Sequence, residues 1–293
     1  MQDGRSNSRS SPATMAAGRA TAEMEAAQSD YAQLVATFRE SIRRMGVAGL
    51  ENYYWYHTVD LGNGLVTPGD YDFRDQINSF GFPEDLRGKR VLDIGSATGY
   101  FAFEFEKRGA EVVSVELPSL AEWDIISGER GQIVNHLMQR HKASTPEEAY
   151  VRHLDGPFRF CHKMLGSKVT RCYSPVYDLT LDKVGGKKFD LIYAGDILLH
   201  LFSPLKALDT LSTLCAGQIF VTLDVPFYHA DQPYMRFVGK ESEGRTWWLM
   251  SKLCLENMLK RVGFRTVTQV GAYSGILRRV GVTYQREVLM GSG

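Results

Sequence analysis

The sequence predicts an α/β protein whose core is a Rossmann-like, doubly wound sheet. Residues 90–94 form a short apolar run typical of a buried parallel strand, and residues 95–99 follow as a turn of small residues. Residues 101–108 have helical character, and residues 112–116 form a second apolar run that ends in an acid. A strand, a glycine turn, a helix and a second strand in this order form the repeating unit of such folds.

The rest of the chain adds elements to this core. With 293 residues and 44% hydrophobic content, it is long enough to bury one sizeable α/β core plus accessory helices. Residues 1–27 offer little apolar surface to bury, so we expect a disordered tail. We expect residues 28–86 to form an N-terminal helix and a lid segment, and residues 87–293 to form the main domain.

The N-terminal segment divides into a helix and a cover. Apolar residues recur at helical spacing over residues 31–45 and predict an amphipathic helix, packed on the main domain or on a second subunit as in a homodimer. Residues 53–82 are aromatic and punctuated by Gly and Pro. They predict an ordered cover over a ligand site.

Two long connections extend from the predicted sheet. Residues 117–165 form an insert after the second strand, because the next predicted strand begins only at residue 168. We expect this insert to cap a substrate, and the alternative is a helical pair that only shields the sheet. Residues 225–248 leave the C-terminal end of the fifth strand, an edge at which open α/β sheets bind ligands.

The glycine turn predicts a site for a nucleotide-type cofactor. Gly95 and Gly99 permit positive φ angles and let a ligand touch the backbone. The following helix would turn its free N–H groups toward that ligand. Glu116 ends the second strand, where a carboxylate can accept both hydroxyls of a ribose; the alternative is a solvated strand end.

Two details favour S-adenosylmethionine over NAD. Asp93 lies two residues before Gly95, where a carboxylate can orient the turn and meet an ammonium group that NAD lacks. The spacing of the turn is Asp-x-Gly-x-Ala-x-Gly, so the Gly-x-Gly-x-x-Gly dinucleotide fingerprint is missing. A hydride-transfer enzyme is therefore the weaker interpretation.

From Arg87 to the C-terminus, the sequence resembles the class I S-adenosylmethionine-dependent methyltransferases. Residues 189–204 are similar to the family's fourth strand and the turn after it, residues 218–224 to the fifth strand, and residues 261–270 to the glycine-phenylalanine turn before the sixth. The resemblance implies a seven-stranded sheet with strand 7 antiparallel, and S-adenosyl-L-methionine as cofactor.

Residues 55–62 and 67–69 are similar to a narrower branch of that family. The branch includes the tRNA wobble-uridine carboxymethyltransferases and uncharacterised small-molecule relatives. Those tRNA enzymes carry Tyr-His in the turn after strand four, whereas this chain has Leu199-His200 and so lacks a tyrosine that helps hold a carboxylated cofactor. Ordinary S-adenosylmethionine is therefore the expected cofactor.

The resemblance and the residue pattern together give a set of candidate cofactor contacts. In the family, the residues after strand three contact adenine, although Asp178 could instead cap a helix. Small or polar residues that end strand four leave room for the sulfonium, and the lid residues Tyr56, Tyr71 and Arg74 are expected to close on cofactor or substrate. The complete set is Asp93, Gly95, Ser96, Ala97, Gly99, Tyr100, Glu116, Leu117, Tyr177, Asp178, Gly195, Asp196, Tyr56, Tyr71 and Arg74.

Four residues are candidates for a general base, which a hydroxyl acceptor would need. They are His57 in the lid, His200 after strand four, and Asp224 and His229 at and after the end of strand five. Each histidine has a structural alternative as a packed, hydrogen-bonded side chain. Candidate substrate contacts are Trp123, Tyr234, Arg236, Trp247 and Trp248.

The charge balance and the cysteine pattern argue against several classes of function, although a local basic patch for nucleic acid remains possible. The chain has 34 Lys and Arg against 34 Asp and Glu, so no overall positive field gathers nucleic acid. The four cysteines are widely spaced, which predicts neither a disulfide framework nor a metal site. No apolar run approaches membrane-spanning length, so we expect a soluble, cytoplasmic protein without a membrane partner.

The expected function is methyl transfer to a small-molecule acceptor by in-line displacement. Holding the acceptor atom and the methyl carbon in attack geometry can contribute up to about 7–11 kcal/mol, so a dry, covered pocket matters more than any single base. Two alternatives remain: a tRNA-modifying methyl- or carboxymethyltransferase, and a cofactor-binding regulatory subunit without turnover.

Overall fold

The structure is a computed structural model that describes residues 12–224, 232–239 and 245–293. It contains nine β-strands within those residues. In chain order they are β1 Arg90–Ile94, β2 Glu111–Glu116, β3 Thr170–Tyr173, β4 Phe189–Ala194, β5 Cys215–Asp224, β6 Met235–Phe237, β7 Trp248–Met250, β8 Thr266–Leu277 and β9 Val282–Ser292.

Seven of the strands form one sheet in the order β3-β2-β1-β4-β5-β9-β8, while β6 and β7 form a separate antiparallel pair. Strands β1 to β5 pair in parallel. Strand β9 runs antiparallel to both of its neighbours, β5 and β8. The predicted α/β fold is therefore confirmed, including the antiparallel last strand.

Helices cover both faces of this sheet. They are α1 Pro12–Arg44, α2 Tyr100–Lys107, α3 Ser127–His141, α4 Pro146–Tyr150, α5 Gly156–Leu165, α6 Pro204–Leu214 and α7 Lys252–Arg261. The apolar strand residues alternate between two buried clusters, one against α1, α2 and α5 and the other against α6 and α7. Parallel strands covered on both faces direct their carboxyl ends to one exposed edge of the sheet, where ligands bind.

Helix α1 begins within the segment predicted as an N-terminal tail. It begins at Pro12 and runs through most of the segment that we expected to be disordered. The tail prediction considered only apolar burial, whereas the segment is rich in Ala, Met and Glu, which favour helix without burial. Its C-terminal half packs as predicted, with Phe38 and Ile42 buried against Trp55 and its neighbours.

Residues 53–82, the cover segment, pack firmly on the main domain. The Oγ1 atom of Thr98, in the glycine turn, accepts the backbone N–H groups of Tyr56 at 3.0 Å and His57 at 3.2 Å. Arg279 pairs with the buried Asp70, Nε to Oδ2 3.1 Å. The cover is thereby attached both to the glycine turn and to the β8–β9 hairpin.

The predicted insert after β2 forms a helical subdomain. It consists of α3, α4, a π-helical turn at Val151–Asp155 and α5. Its own small core includes Leu120, Leu137 and Tyr150. The Tyr150 hydroxyl donates to the Leu117 carbonyl at 2.6 Å, which ties the insert to the end of β2.

In the described part of the chain, no helix combines the length and apolar character needed to cross a membrane.

Candidate functional site

The glycine turn between β1 and α2 has an unusual backbone. Gly95, Ala97 and Gly99 have φ angles of 68°, 47° and 93°. A Cβ atom at Gly99 would lie 2.7 Å from ring atoms of both Phe103 and Phe158, so this glycine permits close packing of the turn against α2 and α5. Gly95 instead borders a cavity, which leaves its backbone open to a ligand.

Asp93 ends in the same cavity as a buried carboxylate with spare hydrogen-bonding capacity. It is 1% exposed, and its Oδ2 has no hydrogen-bond partner within the described residues. Burial raises its pKa to about 7, with Arg171 opposing that rise and Glu116 adding to it. A buried carboxylate without a partner is costly unless a cationic group meets it.

Glu116 organises the adjacent end of β2. Its Oε2 accepts the N–H of Ala97 at 3.1 Å, and its Oε1 accepts the N–H of Leu117 at 3.0 Å. A carboxylate has about four acceptor positions, so two remain for other donors. Glu116 therefore links the glycine turn to β2 and retains the capacity to bind a vicinal diol such as a ribose.

Arg171 is a site residue that sequence reasoning missed. The strand register places Asp93, Ser114 and Arg171 in one row across β1, β2 and β3. Arg171 donates to the hydroxyls of Ser96 and Ser114, and its guanidinium lies 3.9 Å from the centre of the Phe158 ring. In the sequence, Arg171 is visible only as an arginine within a short predicted strand. The strand register is needed to show which carboxylates it faces.

A large cavity of about 1230 Å³ opens at the carboxyl edge of the sheet. Single small ligands usually occupy about 300–1,000 Å³, so this cavity has room for a cofactor and a second ligand. Leu117, Val176 and Tyr177 form one wall beside Glu116. The insert contributes another wall, with Trp123 from its first turn and Arg140 from α3.

A smaller cavity of about 150 Å³ lies beside Asp93 and the glycine turn. The two cavities share lining residues, so they form one continuous site. The shared residues are Tyr56, Tyr71, Gly95, Ile197, His200 and Arg245. Ser96, Ala97, Gly195 and Asp196 line only the smaller part.

An ion-pair network fixes Asp196 in the turn after β4. Asp196 has a φ angle of 47° and pairs with Arg286, Nε to Oδ2 3.0 Å. Its Oδ1 also accepts the Thr222 hydroxyl at 2.8 Å. Because its oxygens already have partners, Asp196 serves to shape the smaller cavity.

Two of the predicted general bases line the cavities, and their environments differ. His57 is buried among the rings of Tyr56, Phe73 and Phe101, its Nδ1 has no partner within the described residues, and burial lowers its pKa to about 3. His200 donates from Nδ1 to the Arg245 carbonyl, because a carbonyl can only accept. This tautomer leaves the Nε2 of His200 as a proton acceptor.

Several predicted site residues lie outside both cavities. Asp224 pairs with Arg286 instead, Nη1 to Oδ1 3.1 Å, because the two face each other across the β5–β9 ladder. Arg74 pairs with Asp72, and Tyr100 packs in the aromatic core. His229 lies outside the described residues. Nine predicted site residues line neither cavity: Asp224, Arg74, Gly99, Tyr100, Asp178, Tyr234, Arg236, Trp247 and Trp248.

The two tryptophans support other elements of the structure. Trp247 is buried, and its indole N–H donates to the Asp124 carbonyl at 2.9 Å. The indole N–H of Trp248 donates to the Phe202 carbonyl at 3.2 Å. Of the five predicted substrate contacts, Trp123 lines the large cavity, and Arg245, which was not predicted, lies beside it.

Comparison with known proteins identifies a family model. A model described as a methyltransferase domain matches residues 69–269. Among curated proteins, no sequence matches the chain.

Solved structures with similar folds were also found. The N-terminal domain of EvdMO1 with SAH bound is 15% identical with a TM-score of 0.51, and the match covers 87% of this chain and 96% of that one. The same domain in the presence of SAH and D-fucose gives equal values. At this identity, the likeness shows the fold alone.

A further match is the 1,6-didemethyltoxoflavin-N1-methyltransferase from Burkholderia thailandensis. It is 16% identical with a TM-score of 0.44, and the match covers 71% of this chain and 72% of that one. This second likeness adds nothing to the fold assignment.

Proposed function

The chain belongs to the methyltransferase-domain family, and from that premise we propose that it transfers a methyl group from S-adenosylmethionine to a small-molecule acceptor. The observation that carries the proposal is the buried Oδ2 of Asp93 beside the glycine turn, which has no hydrogen-bond partner in the described part of the chain. An ammonium group at this position would neutralise a carboxylate that is otherwise costly to bury. The α-ammonium of the cofactor's methionine moiety is such a group.

Other residues that line the site fit the ribose and the adenine of this cofactor. Glu116 retains acceptor positions for the two ribose hydroxyls. Leu117, Val176 and Tyr177 offer apolar and aromatic surface for adenine in the neighbouring wall. Tyr177 is held in place because its hydroxyl donates to Asp124.

The chain's own contribution to the reaction is placement. When bound, S-adenosylmethionine supplies an electrophilic methyl carbon on a sulfonium. The cover residues Tyr56 and Tyr71 line both cavities, and their side chains help exclude water from the place where the two cavities join. Holding the acceptor atom there can account for up to about 7–11 kcal/mol of the barrier.

We assign the general-base role to His200 for acceptors that must lose a proton. Its Nδ1 is occupied by the Arg245 carbonyl, and the ring lines both cavities. Burial lowers its pKa, which keeps Nε2 unprotonated near neutral pH. Nε2 would take the proton from an acceptor hydroxyl as its oxygen displaces the thioether sulfur from the methyl carbon, so that the carbon–oxygen bond forms while the carbon–sulfur bond breaks. The imidazolium would later release the proton to solvent.

A small-molecule acceptor fits the charge of the chain better than tRNA does. The equal numbers of acidic and basic residues provide no general field for a polyanion. The resemblance of residues 55–62 to the tRNA wobble-uridine branch thus remains a prediction, tested by salt-dependent binding of tRNA. A regulatory subunit without turnover would bind cofactor and methylate nothing.

The first test is calorimetric titration with S-adenosylmethionine and S-adenosylhomocysteine. We expect wild type to bind both, and Glu116→Ala to lose roughly tenfold or more in affinity because charge-assisted hydrogen bonds to the ribose disappear. Glu111→Ala is the matched control, since Glu111 begins the same strand and its side chain is 71% exposed. Equal affinities for wild type and Glu116→Ala would contradict the assignment of Glu116, and absence of binding to wild type would contradict the proposed function.

A further inference from the structure

Two arginines line the large cavity without an acidic partner among the described residues. Arg140 lies near the C-terminal end of α3, and Arg245 precedes β7. Neither forms a salt bridge with any carboxylate of residues 12–224, 232–239 and 245–293. Glu129, which also lines the cavity, is eleven residues from Arg140 along α3, or roughly 16 Å of helix.

In the part of the chain that the structure describes, both guanidinium groups pack on aromatic rings and not on carboxylates. Arg140 lies over the Tyr54 ring, 4.6 Å from its centre, and Arg245 lies over the Trp123 ring, 5.2 Å from its centre. Tyr54 stacks on His153 with ring centres 4.9 Å apart. Both arginines therefore contact one aromatic cluster, since the Trp123 ring centre lies 5.6 Å from that of His153. Desolvation, followed by the nearby charge of Arg140, lowers the pKa of Arg245.

A chain of hydrogen bonds determines how Arg245 is held. His141 Nδ1 lies 3.0 Å from the Asn52 carbonyl and must donate to it. Burial lowers the pKa of both His141 and His153, which favours the neutral form of both rings. His141 Nε2 then accepts from His153 Nδ1 at 2.9 Å, which leaves His153 Nε2 as an acceptor 3.5 Å from Arg245 Nη1.

Among the described residues, this arrangement engages one nitrogen of Arg245, and the rest of its planar fork has no hydrogen-bond partner there. A guanidinium has five N–H donors and matches carboxylate and phosphate oxygens in a bidentate manner. Arg245 lines both parts of the site, so a ligand that it holds would lie next to His200 and Tyr56.

We propose that Arg140 and Arg245 form the binding site for an anionic group of the acceptor, a carboxylate or a phosphate. This inference rests on the proposed methyl transfer and narrows its substrate class to acidic molecules. The oxyanion accepts from Arg245 and Arg140, and the rest of the acceptor extends toward His200.

The test uses the full chain saturated with S-adenosylhomocysteine and three probes: benzoate, inorganic phosphate and neutral benzamide. Chemical-shift titration should detect binding of benzoate or phosphate, and the stronger of the two identifies the type of anion. Arg140→Gln and Arg245→Gln should each weaken that binding roughly tenfold to hundredfold, as expected for a lost charge-assisted hydrogen bond. Arg261→Gln, an exposed arginine at the end of α7, is the control and should bind like wild type.

Failure of this inference is distinguishable from failure of the proposed function. Titration of each variant with S-adenosylhomocysteine reports the cofactor site separately, and its melting temperature reports folding. Arg245→Lys, which keeps the charge but loses the fork, should bind the anion with intermediate affinity. Binding of neither anion to wild type, equal binding of benzamide, or unchanged anion binding in both glutamine variants would overturn the inference while leaving methyl transfer intact.

Discussion

Arg171 Nη2 lies 3.9 Å from Glu116 Oε2, and each of the two side chains is less than a tenth exposed. The same guanidinium donates to Ser96 in the glycine turn and to Ser114 on β2. One cation on β3 therefore positions both the turn and the carboxylate that we assign to the ribose.

Arg171→Met tests this positioning role. We expect a loss of roughly tenfold in affinity for S-adenosylhomocysteine, and a loss of about 1–3 kcal/mol in the free energy of unfolding, because two buried hydroxyls lose their donor. Calorimetry and urea denaturation measure the two effects. The control Arg159→Met removes a largely exposed arginine paired with Asp155 and should change the free energy of unfolding by less than about 1 kcal/mol. Unchanged cofactor affinity in Arg171→Met would exclude the role.

The stability of the ligand-free protein should depend on the titration of Asp93. Burial raises the pKa of this carboxyl to about 7, whereas an unfolded aspartate titrates near about 3.9. The folded protein thus favours the protonated form, and the resulting stability is fully present below about pH 4 and lost as the pH rises through about 7. We expect the melting temperature to fall over this upper range more in wild type than in Asp93→Asn, measured by scanning calorimetry.

The affinity for the cofactor should increase with pH, whereas the stability of the ligand-free protein should decrease. An ammonium group binds the ionised carboxylate, so affinity for S-adenosylhomocysteine should increase as the pH rises through about 7. In Asp93→Asn, affinity should be lower and nearly independent of pH in this range. A parallel pH dependence in wild type and Asp93→Asn would show that another group controls binding.

His200→Gln should reduce the rate of methyl transfer to a hydroxyl acceptor by roughly 10²–10⁴. Glutamine cannot take a proton and adds no charge to the site, so affinity for S-adenosylhomocysteine should change little. Single-turnover kinetics with labelled cofactor measure the rate. His162→Gln is the control, because His162 bonds the Val169 carbonyl and lies outside both cavities. His57→Gln distinguishes the alternative base: a larger loss there than in His200→Gln would reassign the role.

Two glycine substitutions should change stability in opposite directions. Gly99 has a φ angle of 93° and no room for a Cβ atom, so Gly99→Ala should lower the free energy of unfolding by about 1–3 kcal/mol. Gly131 lies in α3 with open space around it, so Gly131→Ala should raise that free energy by about 0.5–1 kcal/mol. Urea denaturation of both variants measures the difference, and equal effects would contradict the described turn.

The sequence predicts those parts of the molecule that depend on local pattern. Apolar runs and the glycine turn locate β1, β2 and β4, and the same logic places Asp93, Gly95 and Glu116 at one edge of the sheet. These features follow from residues that are adjacent in the chain or occupy equivalent strand ends.

The remaining site residues depend on register and on tertiary placement. Asp224 is the last residue of β5, a position from which the sequence predicted a catalytic carboxylate. The β5–β9 register instead places it opposite Arg286. Arg171 and Arg245 come from separate segments, and their relation to the site appears only when β3 and the connection before β7 are in place. Trp247 and Trp248 have the aromatic rings that substrate stacking needs. Their indole N–H groups instead donate hydrogen bonds to the Asp124 and Phe202 carbonyls.

The double hydrogen bond from the cover to Thr98 also determines the route by which molecules enter and leave. The cover cannot swing away without breaking its hydrogen bonds to the glycine turn, so we expect both ligands to enter and leave through the large cavity, of which the insert forms one wall. The smaller cavity adjoins the larger one and is lined by Asp93, so the methionine end of the cofactor would occupy it. We therefore expect an obligatory sequence of exchange, in which the cofactor arrives first and its spent form departs last.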